Sequence, residues 1–352
     1  MNDKLPLIFD GHNDVLLRMS RSGETGSVEA FTKGRDGAID LHKSRSGGFG
    51  GGFFAIYIPS SAGDIDRFDA MNEATYDLPL PDPIEFPEAT QVAQNQASIL
   101  IRLQEIGALE ICTTSKQIAD CFERGVLAAI MHMEGAEAID EDFSALDLFH
   151  RAGLRSIGPV WSRPNSFGHG VPFRFPSNGN IGPGLTAKGI ELVKRCNELN
   201  IMLDLSHLNE AGFWDVAKHS DAPLVATHSN VHQLCNGSRN LTDRQLAAIA
   251  ESDGMVGVNF AVAFLRSDGQ KNVDTSLDLI LKHLDYLIDL VGENRVGFGS
   301  DYDGADVPVD IHTAAKLPNL RLAMRSHGYD ETLMDKLCHK NWLRVLAKTW
   351  GV

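Results

Sequence analysis

The sequence is short of cysteine, and its cysteines are poorly placed for crosslinking. Cys112, Cys121, Cys196, Cys235 and Cys338 are odd in number, scattered and without any CxxC pair. That argues against a disulfide framework and against a thiolate zinc knuckle. Long apolar runs are also missing: nothing approaches the roughly 20 apolar residues needed to span a bilayer. Positive charge is in deficit, with 32 Lys and Arg against 47 Asp and Glu and a formal net charge of −15. This disfavours nucleic acid and anionic membrane surfaces as partners. No Gly-rich dinucleotide fingerprint is present. The run "GGFGGG" lacks the Lys-Ser/Thr of a phosphate loop and precedes a strand, so flexibility is its expected purpose. The N-terminal "MNDKLPLIFDGHND" lacks a secretory apolar region and a small-residue cleavage site, and the chain is read as cytoplasmic.

What is present is a regular alternation. Short apolar, β-branched or aromatic runs recur: "PLIFDG", "GFFAIYIP", "GVLAAIMHMEG", "LRSIGPVW", "IMLDLSH", "APLVATHS", "GMVGVNF" and "RVGFGSDYDG". Several are nearly continuous, as expected of strands buried on both faces. Amphipathic segments lie between them. Thr186 can cap a helix whose stripe is Ile190, Val193, Cys196 and Leu199. A second helix places Leu277, Ile280, Leu284 and Leu287 inward and stops at Gly292. Eight strands alternating with helices in 352 residues predict a (β/α)8 TIM-type barrel of the α/β class. It is read as one domain over residues 1–352, with long βα loops near 18–52 and 64–88 over the active face.

Chemistry-bearing residues collect at the predicted C-terminal strand ends. The first strand offers His12 and Asp14, two apart and so facing one side. The third offers Glu134, the fifth His207, the sixth His228, and the eighth Asp301 with Asp303. In a barrel these ends surround one pocket. An isolated HxD is weak; five strands contributing at matching ends are not. Imidazole and carboxylate without thiolate suit zinc, with manganese, cobalt or iron as substitutes. Three His, one Asp and one Glu are too many for one open tetrahedral ion and suit two ions sharing a bridging carboxylate. Asp301 is left for proton transfer. Asp303 is read as a loop-capping residue before Gly304, and Gly135 and Gly304 as places where the backbone turns sharply. His132 is either a supporting residue behind the metals or a packed interior histidine. His42, His150, His219, His232, His283, His312, His327 and His339 lie in helical or loop patterns and are read as surface or packing residues.

The segments "FDGHND", "MEGAEAI", "GLTAKG…LDLSH", "ATHSN…GSRNLTD", "VGFGSDYDG" and "NWLRVL" resemble, in order and over nearly the whole chain, the signatures of membrane (renal-type) dipeptidases, a branch of the amidohydrolase barrels. The resemblance implies a binuclear zinc dipeptidase that cleaves short peptides; between L,L dipeptides and those with a D-residue at the C-terminal position the sequence does not choose. It implies two Zn2+ per chain: His12, Asp14 and Glu134 on one, and Glu134, His207 and His228 on the other. It further implies Asp301 as the acid–base residue, Arg239 on the substrate's terminal carboxylate, a small peptide as partner, and a homodimer.

Two positions depart from the family. Trp161 stands where members carry a pocket histidine, and Phe264 stands where a tyrosine is expected. Both are read as substrate-facing, with preference for an apolar side chain against the indole. His169 is a loop histidine, expected to be exposed. The alternatives are another amidohydrolase activity, on an N-acyl amino acid, lactone or phosphoester, and a non-catalytic metal-binding barrel. The absence of a lysine from "LRSIGPVW", where many of those barrels place their bridging residue, favours the dipeptidase branch.

Overall fold

A computed structural model describes residues 5–21, 27–60 and 66–351. Eight parallel strands form the barrel: β1 (Ile8–Asn13), β2 (Phe49–Tyr57), β3 (Leu127–Glu134), β4 (Leu154–Gly158), β5 (Met202–Leu203), β6 (Val225–Ala226), β7 (Met255–Asn259) and β8 (Val296–Gly299). They run in the spatial order β5-β4-β3-β2-β1-β8-β7-β6. One parallel bridge, Asp204 to Val225, joins β5 to β6 and closes the ring. All eight expected strands are present. Each is apolar because its outer side meets helices and its inner side fills the barrel.

The helices follow from their ends. Thr186 accepts a hydrogen bond from the Gly189 amide and starts the helix Ala187–Glu198, as expected. Its buried stripe is Gly189, Leu192, Val193 and Cys196, so Ile190 and Leu199 are rotated to its half-buried flanks. The helix Asp278–Val291 buries Ile280, Leu284 and Leu287 and ends at Gly292.

The stretch 18–52 differs from the loop expected there. It holds the end of the helix Val15–Arg21 together with the helices Ser27–Lys33 and Leu41–Gly47. The last is set by Asp40, which accepts from the Lys43 amide, and by Gly48 in the left-handed region. The "GGFGGG" run is therefore a helix end followed by β2 itself, and flexibility is not its purpose. A Cβ on Gly51 would lie 2.0 Å from the Ala128 carbonyl oxygen, and φ there is +139°. Glycine lets β2 and β3 approach.

Two small additions complete the fold. The strand Leu109–Ile111 pairs with the start of β3 before β4 takes over that edge. Tyr76–Leu78 and Phe173–Phe175 pair antiparallel, joining the segment after β2 to the segment after β4. In the stretch 64–88 the described part holds a 3-10 helix, Asp66–Asn72, as well as Tyr76–Leu78; residues 64 and 65 lie outside the described residues.

The barrel interior is graded along its axis. Phe9, Phe53, Ala128, Ile130, Met202, Val225, Met255 and Trp342 pack together towards the N-terminal strand ends. Trp342 comes from the helix Asn341–Trp350 and donates from Nε1 to the Phe298 carbonyl at 3.0 Å. Along β3 the positions two apart read Ala128, Ile130, His132, Glu134, from apolar floor to charged mouth.

Candidate active site

The mouth of the barrel gathers the predicted ligand set. Glu134 Oε1 lies 3.0 Å from His207 Nε2, 3.4 Å from His228 Nε2 and 3.5 Å from His12 Nε2. His12 Nε2 is also 3.3 Å from Asp14 Oδ2. His207 and His228 bring their Nε2 atoms within 3.1 Å of each other. Ligand-type atoms of Glu134, His207 and His228 lie within 4.8 Å of one another, as do those of His12, Asp14 and Asp301. One carboxylate thus touches both halves of the cluster. Asp301 falls in reach of the His12 side, so its carboxylate is available to an ion as well as to a proton.

The donor set fits divalent ions. Both ring nitrogens of His12 are buried without a hydrogen-bond partner, a costly state unless something else meets them. Burial pushes Glu134 well above the ordinary carboxylate range, and the neighbouring Asp14 and Asp301 add to it against the pull of His12. Burial holds His207 and His228 well below the imidazole range, with Arg239 and His12 adding to it. For His12 burial is overcome by Glu134 and Asp14, and its pKa rises to about 10. Glu134 raised beside His207 and His228 lowered describes buried groups whose ligand forms a bound cation would favour.

Residues behind the candidate ligands fix their orientation, and of these the sequence reading named His132 but missed Asp204, Thr227, Ser162 and Asn259. Thr227 Oγ1 donates to Asp204 Oδ2 at 2.6 Å, which uses its only hydrogen. It lies 2.8 Å from His228 Nδ1 and must accept there. The His228 proton is therefore on Nδ1, and Nε2 presents a lone pair to the cluster. Ser162 Oγ is 2.9 Å from His207 Nδ1. Asn259, at the end of β7, donates to Asp301 Oδ2 at 2.8 Å. Asp301 has φ of +59°, rare for a residue with a side chain. His132 is buried between Ser156 Oγ at 2.9 Å and Asp204 Oδ2 at 3.7 Å, and its ring meets that of His12 edge-on. It supports the cluster from below.

Above the ligands opens a cavity of about 770 Å3. Asp14, Glu134, His207 and Asp301 form its base, and Trp161, Phe264, Phe173 and Tyr57 are in its wall. Trp161 packs edge-on to Tyr57 with ring centres 5.1 Å apart. Phe264 stacks on Phe173 at 6.0 Å. Both departures from the family pattern therefore face the cavity. Tyr57, not singled out from sequence, brings a phenol to the same wall. Arg239 is buried one layer back. Its guanidinium lies 5.4 Å over the Phe264 ring, donates to the Ser206 carbonyl, and has Nη2 3.2 Å from His207 Nε2. His169 is half-buried and outside the cavity wall.

Two expectations change in detail. Asp303 caps no turn at Gly304; it accepts from the Ala38 amide at 2.8 Å and from Arg35 at 3.1 Å, tying the loop after β8 to that after β1. Gly304 is needed for space rather than for a sharp turn, because a Cβ there would lie 2.1 Å from Asp14 Oδ2. Gly135 does turn in the left-handed region, at φ +89°.

Residues 3–351 match the model of the membrane dipeptidase family, peptidase family M19. The chain belongs to that family. Two solved structures superpose closely. A metallopeptidase from Rhodobacter sphaeroides, liganded with a phosphinate mimic of the dipeptide L-Ala-D-Ala, is 53% identical over 99% of this chain and 100% of its own, with a TM-score of 0.96. The second, dipeptidase AC, a metallopeptidase of family M19, is 52% identical over 99% and 100% of the two chains, with a TM-score of 0.96. Among curated relatives, dipeptidase tcpJ of Claviceps purpurea is 25% identical over 97% of this chain and 77% of its own. An uncharacterized protein from the pqqA 5′ region of Klebsiella pneumoniae is 48% identical over 76% of this chain and 98% of its own. The chain is thus a metallopeptidase of the dipeptidase type, a hydrolase on a TIM-barrel fold. Among the described residues no helix is long and apolar enough to cross a membrane.

Proposed function

We propose that the chain is a binuclear zinc dipeptidase that hydrolyses dipeptides, including those with a D-residue at the C-terminal position. The observation that carries the reading is Glu134 Oε1 within 3.0–3.5 Å of three histidine Nε2 atoms. His12, Asp14 and Glu134 would hold one ion, and Glu134, His207 and His228 the other. Bound there, divalent ions polarise a carbonyl and acidify water.

The chain's own residues supply the rest. Asp301, held by the Asn259 amide, takes the proton of the attacking water and delivers it to the leaving nitrogen. Arg239 is the candidate for the terminal carboxylate. Its Nε is buried without a partner, and its Nη2 faces His207 Nε2, an atom the metal role would claim, leaving that donor for substrate. Trp161, Phe264 and Phe173 exclude water and favour an apolar side chain. The D-residue at the C-terminal position follows the L-Ala-D-Ala mimic held by the Rhodobacter relative.

The reading also places the enzyme in the cytoplasm, in keeping with five unpaired cysteines. It expects a homodimer, on the family resemblance alone. The test is turnover of a panel of L,L and L,D dipeptides by zinc-loaded protein, with and without chelator. Chelator-sensitive hydrolysis, strongest for apolar L,D members, is expected. Hydrolysis that survives full metal removal would overturn the reading.

A further inference from the structure

Remote from the mouth, two cysteines meet under the barrel wall. Cys112 follows the strand Leu109–Ile111, and Cys121 lies on the helix Ser115–Arg124. Their Sγ atoms are 3.8 Å apart and both residues are fully buried. Among the described residues no other two thiols are in hydrogen-bonding contact. Arg124 Nη2 lies 3.4 Å from Cys121 Sγ and 2.6 Å from Glu110 Oε2. The Arg124 and Glu110 side chains are 52% and 32% exposed, so Cys121 is one side chain below the surface.

The two sulfurs are not equivalent. The contact with Cys112, in which either sulfur can donate, lowers the Cys121 thiol, with Arg124 helping against burial and Glu110. The same contact, with burial, pushes Cys112 up. The sulfur beside the Arg124 guanidinium is thus the one whose thiolate is favoured, and it stands in contact with a second thiol. Glu110 completes a set of three ligand-type groups with the cysteines. The guanidinium against Cys121 and Glu110 puts a positive charge where a cation would bind, which favours oxidation chemistry over a metal.

We propose that Cys112 and Cys121 form a modification site, a dithiol that a hydroperoxide converts to an intramolecular disulfide. The Cys121 thiolate attacks one peroxide oxygen, the O–O bond breaks, and the departing oxygen leaves as water after taking a proton. Cys121 is now a sulfenic acid. Cys112 then loses its proton and attacks the Cys121 sulfur; the S–O bond breaks and a second water leaves. Two thiols and one hydrogen peroxide give one disulfide and two waters, with the two electrons drawn from the sulfur pair. The sulfurs must close from 3.8 Å to about 2.05 Å. The bond ties the strand end to the helix beneath the barrel floor.

The test treats metal-loaded protein with a small excess of hydrogen peroxide, then alkylates free thiols and measures intact mass and linked peptides. Two of the five thiols should escape alkylation of the unfolded chain, and the mass before alkylation should fall by about 2 Da, the two hydrogens lost. Peptide mapping should join Cys112 to Cys121, and dithiothreitol should reverse the change. Cys112→Ser keeps the nucleophile without its partner, and should accumulate a sulfenic acid at Cys121 that dimedone traps. Five remaining thiols, oxygen addition without a link, or oxidation spread equally over Cys196, Cys235 and Cys338 would each overturn the proposal. The wild-type measurement decides even where the variant fails to fold.

Discussion

The two ends of this barrel are built from the same strands and obey opposite rules. At the floor, Phe9, Phe53, Ile130, Met202, Met255 and Trp342 are apolar and closely packed, and the one polar atom Trp342 brings is hydrogen-bonded. At the mouth, His12, Glu134, His207, His228 and Arg239 are also buried, yet the His12 ring nitrogens have no hydrogen-bond partner and Asp301 holds an unfavourable φ. β1 contributes Phe9 to one end and His12 to the other; β3 contributes Ile130 and Glu134. The difference shows where each free energy resides. Burial at the floor stabilises the fold, whereas the mouth keeps charges in a place that only bound cations make favourable.

The largest expected effect comes from the mouth. Asp301→Asn keeps shape but cannot accept a proton, so turnover should fall by about 10²–10⁴-fold. Thermal stability should hardly move, because no packing is lost. Steady-state kinetics beside a melting curve checks both halves of the contrast.

The matching change at the floor does the reverse. Trp342→Ala empties a fully buried site and should destabilise by about 3–5 kcal/mol. Denaturant unfolding measures this, and folded protein should retain its ligand geometry. In metal-stripped protein Glu134→Gln should leave stability unchanged or raise it, since it removes a carboxylate that burial disfavours. A stability loss there as large as that of Trp342→Ala would erase the distinction between the two ends.

Behind the ligands, Asp204→Asn removes the acceptor that fixes the Thr227 hydroxyl and, through it, the His228 tautomer. Metal affinity should fall by about 10- to 100-fold, read by competition with a chelating dye. Burial lowers the His132 pKa to about 3, below the ordinary imidazole value of about 6.5. The unfolded chain then takes up the proton first as pH falls. Its contribution is full above about pH 6.5 and is lost as pH falls towards about 3. Between about pH 7 and 5 the metal-stripped wild type should lose about 1–2 kcal/mol more stability than His132→Gln.

The contrast also explains what the sequence made legible. The eight strands were readable because strands buried on both faces are near-continuous apolar runs, and the candidate ligands His12, Asp14, Glu134, His207 and His228 and the candidate acid–base residue Asp301 because each ends or follows such a run. Asp204, Thr227 and Asn259 were missed because hydroxyls, amides and carboxylates next to strands carry no spacing signal. Their role exists only across strands. The helices within 18–52 are seven residues each, too short for periodicity to declare them, and at least Leu41–Gly47 rests on its caps. The pairing of Tyr76–Leu78 with Phe173–Phe175 joins three-residue segments far apart in sequence, so nothing local announces it. The glycines of "GGFGGG" were misread because their purpose lies in Ala128, on another strand.

The central claim is that Glu134 bridges two ions at the mouth, and metal content per chain tests it most directly. Elemental analysis of the purified wild type should give close to two divalent ions per chain. His207→Ala or His228→Ala should lose mainly one, and Glu134→Ala should disturb both. One ion in the wild type, unaffected by Glu134→Ala, would contradict the account.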